Sequence, residues 1–156
     1  MKLNSIITCI ILLFLSAGCG KKEIPAGSPA ELIDLLQKLS GKEEIVQLYT
    51  ESTIDQFNRF VKASGIEKSS AYSILSFIPE KGVFEIADEK YNGDSSIVTV
   101  RFIDHPVENM KGFTIDLKMK KENDLWKIDR ADDFSKMADS LKRGGAGEYF
   151  KNLQVD

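Results

Sequence analysis

The chain has 156 residues, with 21 basic and 24 acidic side chains and a formal net charge of −3. That length suits a single domain able to bury a core of its own. The mild acidity, with no basic stretch interleaved by aromatics, speaks against a nucleic-acid partner. Two cysteines, Cys9 and Cys19, and a single histidine, His105, leave little from which to build a disulfide framework or a metal site, so no metal or cofactor is expected.

At the N-terminus, Lys2 precedes an apolar run from Ile6 to Leu15 broken only by Thr8, and Ser16-Ala17-Gly18-Cys19 follows. The run is about half of the roughly 20 apolar residues that cross a bilayer core, so it reads as a secretory signal with its cleavage site, not as a permanent span. Leu15-Ser16-Ala17-Gly18-Cys19 resembles the lipobox of bacterial lipoproteins; an ordinary soluble secretory signal is the competing reading. The resemblance implies cleavage after Gly18, a diacylglyceryl group on the Cys19 sulfur and, often, acylation of the new amino group. Cys9 would leave with residues 1–18, and the one remaining cysteine would be blocked by lipid, so no intrachain disulfide forms. Gly20, next to that cysteine, implies under the same resemblance an outer-membrane location facing the periplasm if the source is Gram-negative; a Gram-positive cell surface is the alternative. Two or three acyl chains make such an anchor stable.

Residues 19–27 read as a flexible lipidated tether carrying Lys21 and Lys22, residues 28–143 as one folded domain, and residues 144–156, which open with Gly144-Gly145-Ala146-Gly147, as a flexible tail. Ser28, Pro29 and Glu31 form a capping box at a helix start. Leu32, Leu35, Leu36 and Leu39 recur at helical spacing, which predicts a helix over Pro29 to Leu39 ended by Gly41. A short helix is predicted through Glu43 to Tyr49, and another from Thr53 to Ala63, with Ile54, Phe57, Phe60 and Val61 on one stripe and Gly65 as its stop. Tyr72, Leu75 and Ile78 mark a fourth over Ser69 to Ile78, and Pro79 opposes its continuation.

After Gly82 the period becomes two. Phe84 and Ile86 open one strand, and Val98, Val100 and Phe102 alternate in the next. A three-residue Asn92-Gly93-Asp94 loop sets Ile86 opposite Val100 and Phe84 opposite Phe102, which serves the core better than a two-residue Asn92-Gly93 loop. Phe113, Ile115, Leu117 and Met119 then face one way and Thr114, Asp116, Lys118 and Lys120 the other. Trp126 and Ile128 point inward from a last strand. Its register is open: a turn at Asn123-Asp124 sets Lys118 opposite Asp129, while a turn at Glu122-Asn123 sets Met119 opposite Trp126. A final helix is predicted over Ser135 to Lys142, and Asp132-Asp133 reads as a solvated strand end.

Helices followed by an antiparallel meander ending in Leu125-Trp126-Lys127-Ile128-Asp129 resemble the nuclear-transport-factor-2-like (cystatin-like) superfamily over roughly Ser28 to Asp133. The expected class is α+β, with N-terminal helices packed on a curved antiparallel sheet of about four strands and a C-terminal helix. Enzymes of that superfamily place an acid or a His-carboxylate pair inside the cone. The inward positions inferred here are apolar: Val98, Val100, Phe102, Phe113, Ile115, Leu117, Met119, Trp126 and Ile128. Asp104-His105-Pro106 reads as an exposed loop. Tyr72, Tyr91 and Trp126 are the candidate lining of a pocket for an apolar ligand, plain core being the competing and commoner reading of aromatics at such positions. The charged outer face, with Thr99, Arg101, Lys118 and Lys127, points to a monomer. The expectation is a lipid-anchored, non-catalytic binding or assembly module of the envelope with an unknown envelope partner or apolar ligand. The alternative is a small hydrolase or isomerase using an acid such as Asp55 or Glu51.

Overall fold

The computed structural model describes residues 26–79 and 81–143. Cys19, the signal, most of the tether and the 144–156 tail lie outside the described residues. The chain is α+β: helices α1 (Pro29–Lys38), α2 (Glu51–Ser64) and α3 (Lys68–Ser76) precede strands β1 (Val83–Asn92), β2 (Ser95–Asp104), β3 (Thr114–Glu122) and β4 (Leu125–Ile128), and α4 (Ala131–Lys142) closes the order. Short 3-10 helices occupy Glu43–Leu48 and Glu108–Met110. The four strands form one antiparallel sheet in the order β1-β2-β3-β4.

The folded part begins earlier than the expected Ser28. Ala26 is 1% exposed, and its carbonyl accepts from the Trp126 N–H at 3.4 Å. The Gly27 N–H donates to the Glu31 carboxylate at 2.8 Å and the Glu31 N–H to the Ser28 hydroxyl at 3.2 Å, so the capping box forms with its glutamate serving Gly27 instead of Ser28. From there α1 runs across the sheet: Leu32, Ile33 and Leu36 are fully buried, and at its far end Gln37 donates to the Gly82 carbonyl at the entry to β1.

Thr50 caps α2 by accepting from the Thr53 N–H at 3.2 Å, and Gly65 ends the helix at φ +68°, a conformation that costs a side chain but not glycine. α3 ends two residues before the expected Ile78, because Phe77 turns into the left-handed region at φ +37°. α4 begins four residues earlier than expected. Asp132 and Asp133 are its first turn, where carboxylates favour the positive end of the helix dipole, and not a strand end. Its start is held by one distant and one local acceptor: the Arg130 N–H reaches the Thr53 hydroxyl at 2.9 Å and the Ala131 N–H the Asp129 carboxylate at 3.3 Å. Phe134 then fills the α2–α4 contact, 5.3 Å from Phe57 and 5.9 Å from Phe60 between ring centroids.

In the sheet, Phe84 stands opposite Phe102 and Ile86 opposite Val100, the expected pairs, by a different route. The turn holds only Gly93 and Asp94, since Asn92 pairs with Ser95, and the register shifts at Ala87. One inserted residue reverses the alternation. Phe84 and Ile86 face the helices from the first half of β1, and Glu89 and Tyr91 from the second. The β3–β4 register is the one that brings opposite charges together: Met119 pairs with Ile128, the Asp129 N–H donates to the Lys118 carbonyl at 2.8 Å, and Asp129 forms an ion pair with Lys120. Asn123 and Asp124 form the turn, both at positive φ (+53° and +62°), as a two-residue turn of type I′ requires. Of the inward positions, Val98, Val100, Phe102, Leu117, Met119, Trp126 and Ile128 are buried. Ile115 is half-buried, and Phe113, just before β3, is 46% exposed at the sheet's end.

The two sheet edges differ. β4 is covered by Ala26 and by Tyr49 and Thr50, the Thr50 N–H donating to the Ile128 carbonyl at 3.0 Å beside a parallel Tyr49–Ile128 bridge. Among the described residues, β1 pairs with β2 alone.

Candidate functional site

The structure divides the three candidate aromatics. Tyr72 is buried among the helices, its ring stacked on Phe57 at 6.4 Å. Tyr91 and Trp126 meet edge-on at 6.0 Å at the hairpin end of the sheet, a contact made possible by the Ala87 bulge. Lys121 lies over the Trp126 ring at 5.3 Å, and the Tyr91 hydroxyl donates to Glu89 at 2.5 Å. Trp126 is 5% exposed and Tyr91 57%, so the pair is a half-open rim with one face available to a ligand. Tyr72 is part of the helical core instead.

Asp104 and His105 do not form a proton-transfer pair. The Asp104 carboxylate accepts from the His105 backbone N–H at 3.0 Å and pairs with Lys111 at 3.4 Å. The His105 ring turns the other way: its Nδ1 accepts from the Val107 N–H at 3.0 Å, and it packs edge-on against Phe102 at 5.0 Å. A ring nitrogen that accepts a backbone N–H is committed to holding the loop. His105 is half-buried, not fully exposed as expected. Glu51 and Asp55, the acids suggested for a reaction inside the cone, are both exposed on α2, which removes them as interior proton donors. They line a surface groove of about 470 Å³ with Gln47, Ile54, Glu122 and Lys127, in which Glu122 accepts from the Glu51 N–H at 3.1 Å and Lys127 donates to the Gln47 carbonyl at 2.5 Å. A second groove, of about 490 Å³, lies between β3 and the start of α4, where Lys118 and Lys120 alternate with Asp116, Asp129 and Asp132. Its charges are mutually compensated, so it offers no net field to one sign of ligand. Among the described residues, no three His, Cys, Asp or Glu side chains converge as metal ligands.

One polar cluster was not legible in the sequence. The Arg130 guanidinium sits 4.8 Å from the Phe77 ring and 5.1 Å from the Phe134 ring, with its Nε donating to Asp133 at 3.0 Å. Beneath it Tyr49, 3% exposed, donates its hydroxyl to the Leu75 carbonyl. Burial pushes the Tyr49 phenol above the ordinary tyrosine range, partly opposed by the charge and hydrogen bond of Arg130. The cluster joins the Tyr49 turn, α3 and α4 across long sequence separations. No spacing rule connects these residues, and only the left-handed turn at Phe77 brings that ring to Arg130.

Comparison with family models, with curated proteins and with solved structures finds no match for this chain.

Proposed function

We propose that this chain is a lipid-anchored protein of the cell envelope that works as a binding or assembly module. The observation that carries the reading is the run Ile6–Leu15 followed by Ser16-Ala17-Gly18-Cys19. The fold supports it in two ways. Ala26 is already docked on the sheet, so seven peptide steps separate it from Cys19, a reach of about 25 Å. A domain on so short a tether works at the membrane surface. The helix-facing side of the sheet is packed with apolar side chains, and its half-open feature is the Tyr91–Trp126 rim, which suits contact with an apolar group. The helix-then-meander order that carries the superfamily resemblance is compatible with this role, since such a fold specifies no activity by itself.

The test is the mass of the N-terminal peptide of the mature protein, with detergent-phase partitioning of wild type and Cys19→Ala. A diacyl or triacyl mass on Cys19, and loss of partitioning in the variant, is the expected result. An unmodified N-terminus generated by cleavage at another bond would refute the anchor.

A further inference from the structure

The two edges of the sheet are treated so differently that the open one calls for an occupant. An edge strand presents unpaired N–H and C=O groups along its length. On β4 the chain itself supplies the cover. On β1, ten residues long, no described residue pairs with the outward backbone groups, and Val83, Ile86 and Tyr91 stand 52%, 38% and 57% exposed along the same strand. Its charges, Glu85, Asp88, Glu89 and Lys90, deter indiscriminate pairing, yet their order leaves one pairing permitted.

We propose that β1 pairs with β1 of a second copy of this chain, antiparallel, about a two-fold axis through the Ala87-Asp88 step. This register sets Glu85 opposite Lys90 of the second copy, Phe84 opposite Tyr91, Ile86 opposite Glu89 and Val83 opposite Asn92. In a regular strand it would be impossible, because residues whose numbers sum to an odd value face opposite sides. The bulge at Ala87 reverses the alternation midway, so that Phe84 and Tyr91 both face the helices and Glu85 and Lys90 both face outward. The feature that looks like an interruption of the strand therefore brings this register into the face-consistent set.

Charge selects the same register. Sliding the copies by one residue sets Glu85 against Glu89 in one direction and Asp88 against Asp88 in the other. Sliding by two sets Glu85 against Asp88, or Asp88 against Glu89. Every neighbouring register opposes two carboxylates, and the central one opposes none. Within one copy Arg101 already pairs with Glu85 at 3.0 Å, and Asp88 with Lys90 at 2.9 Å. The contact joins these pairs into a row of alternating sign, Arg101, Glu85, Lys90 of the second copy and its Asp88, in which each added neighbour is attractive. The charged outer face, from which a monomer was expected, is left free, since the contact is made at the edge.

The experiment uses two differently tagged full-length chains, one carrying Glu85→Cys and the other Lys90→Cys, co-expressed, purified in detergent and mildly oxidised. Directly opposite residues lie about 4.5 to 5.5 Å apart at Cα, within disulfide range, whereas position 85 is roughly 16 Å from position 85 of the second copy. The expected result is a mixed disulfide-linked dimer at least fivefold more abundant than the dimer of either variant alone or of wild type, whose native cysteines set the baseline. A mixed dimer no more abundant than that baseline, or homodisulfides as abundant as the mixed one, would overturn the proposal. Wild type supplies a second reading: a mass in detergent that rises from monomer to dimer with concentration supports the contact, and a monomer at about 100 µM refutes it.

Discussion

Replacing Phe134 by alanine tests whether α4 belongs to the core or merely rests against it. Phe134 is fully buried, edge-on to Phe57 at 5.3 Å, 5.9 Å from Phe60, and under the Arg130 guanidinium at 5.1 Å. Removing the ring forfeits about 2 to 3 kcal/mol of transfer free energy, two aromatic contacts of ~0.5 to 1.5 kcal/mol each, and whatever collapse cannot recover from the cavity. Measured Phe→Ala losses of about 3 to 5 kcal/mol bracket that account, and we expect ~4 kcal/mol here. For a domain of about 5 to 15 kcal/mol total stability this is a large fraction, equivalent to a fall in Tm of roughly 12 °C at ~3 °C per kcal/mol. Trp126 is the only tryptophan and is 5% exposed in the folded state, so its fluorescence during urea titration reports the transition by linear extrapolation. A loss below about 1 kcal/mol would mean that α4 does not pack on α2 as described, and the reasoning from buried aromatic contacts would fail with it.

Three further outcomes follow from the same geometry. Thr53→Val removes the acceptor of the Arg130 N–H and the hydroxyl that meets Thr50 at 2.7 Å, and should cost about 1 to 3 kcal/mol in the same urea assay because a half-buried donor is left unpaired. Gly65→Ala, at φ +68° with open space where the Cβ would stand, should cost about 1 kcal/mol from backbone strain alone, and a neutral result would refute the left-handed cap. The raised Tyr49 phenol holds its proton in the folded state after the unfolded chain, with an ordinary value near 10, has begun to lose it. Folding then binds the extra proton, so stability falls as pH rises from about 10 upward, and Tyr49→Phe should flatten that alkaline slope while lowering stability at neutral pH through the lost Leu75 hydrogen bond.

What the sequence made legible was governed by short-range rules. The stripe of Phe57 and Phe60, the Ser28 cap on Glu31 and the alternation from Ile115 to Met119 each rest on neighbours within a turn or a strand, and each stands in the structure. What escaped depends on distant partners. Asp132 and Asp133 look like strand-end solvation until Thr53, from α2, supplies the acceptor that lets a helix start at Ala131. The β1–β2 pairs were reached by assuming a longer loop, because a bulge and a longer loop have the same effect on parity, and sequence alternation cannot tell them apart. The proposed pocket lining was read from residue type alone, and Tyr72 shares that type with Tyr91 while sitting in a different part of the core. The Arg130 cluster could not be found at all, since its members come together from three separate segments, the Tyr49 turn, the end of α3 and the start of α4.

The proposed anchor and the proposed edge contact, taken together, also constrain orientation. Edge-to-edge antiparallel pairing sets the two-fold axis perpendicular to the joined sheet. Two copies tethered in one membrane leaflet are equivalent only if that axis runs along the membrane normal, so the sheet has to lie parallel to the bilayer. Ala26 from each copy is then at the same height at opposite corners of the assembly, and the proposed tether to Cys19 limits that height to about 25 Å above the membrane. A pair held in this way shows the membrane one face only. Spin labels at Lys118, exposed on the outer sheet face, and at Glu67, exposed on the helical side, should therefore differ several-fold in their exposure to a relaxing agent confined to the lipid. Equal exposure at the two sites is what a single copy turning freely on its tether would give, and it would refute the oriented pair while leaving the proposed lipidation of Cys19 untouched.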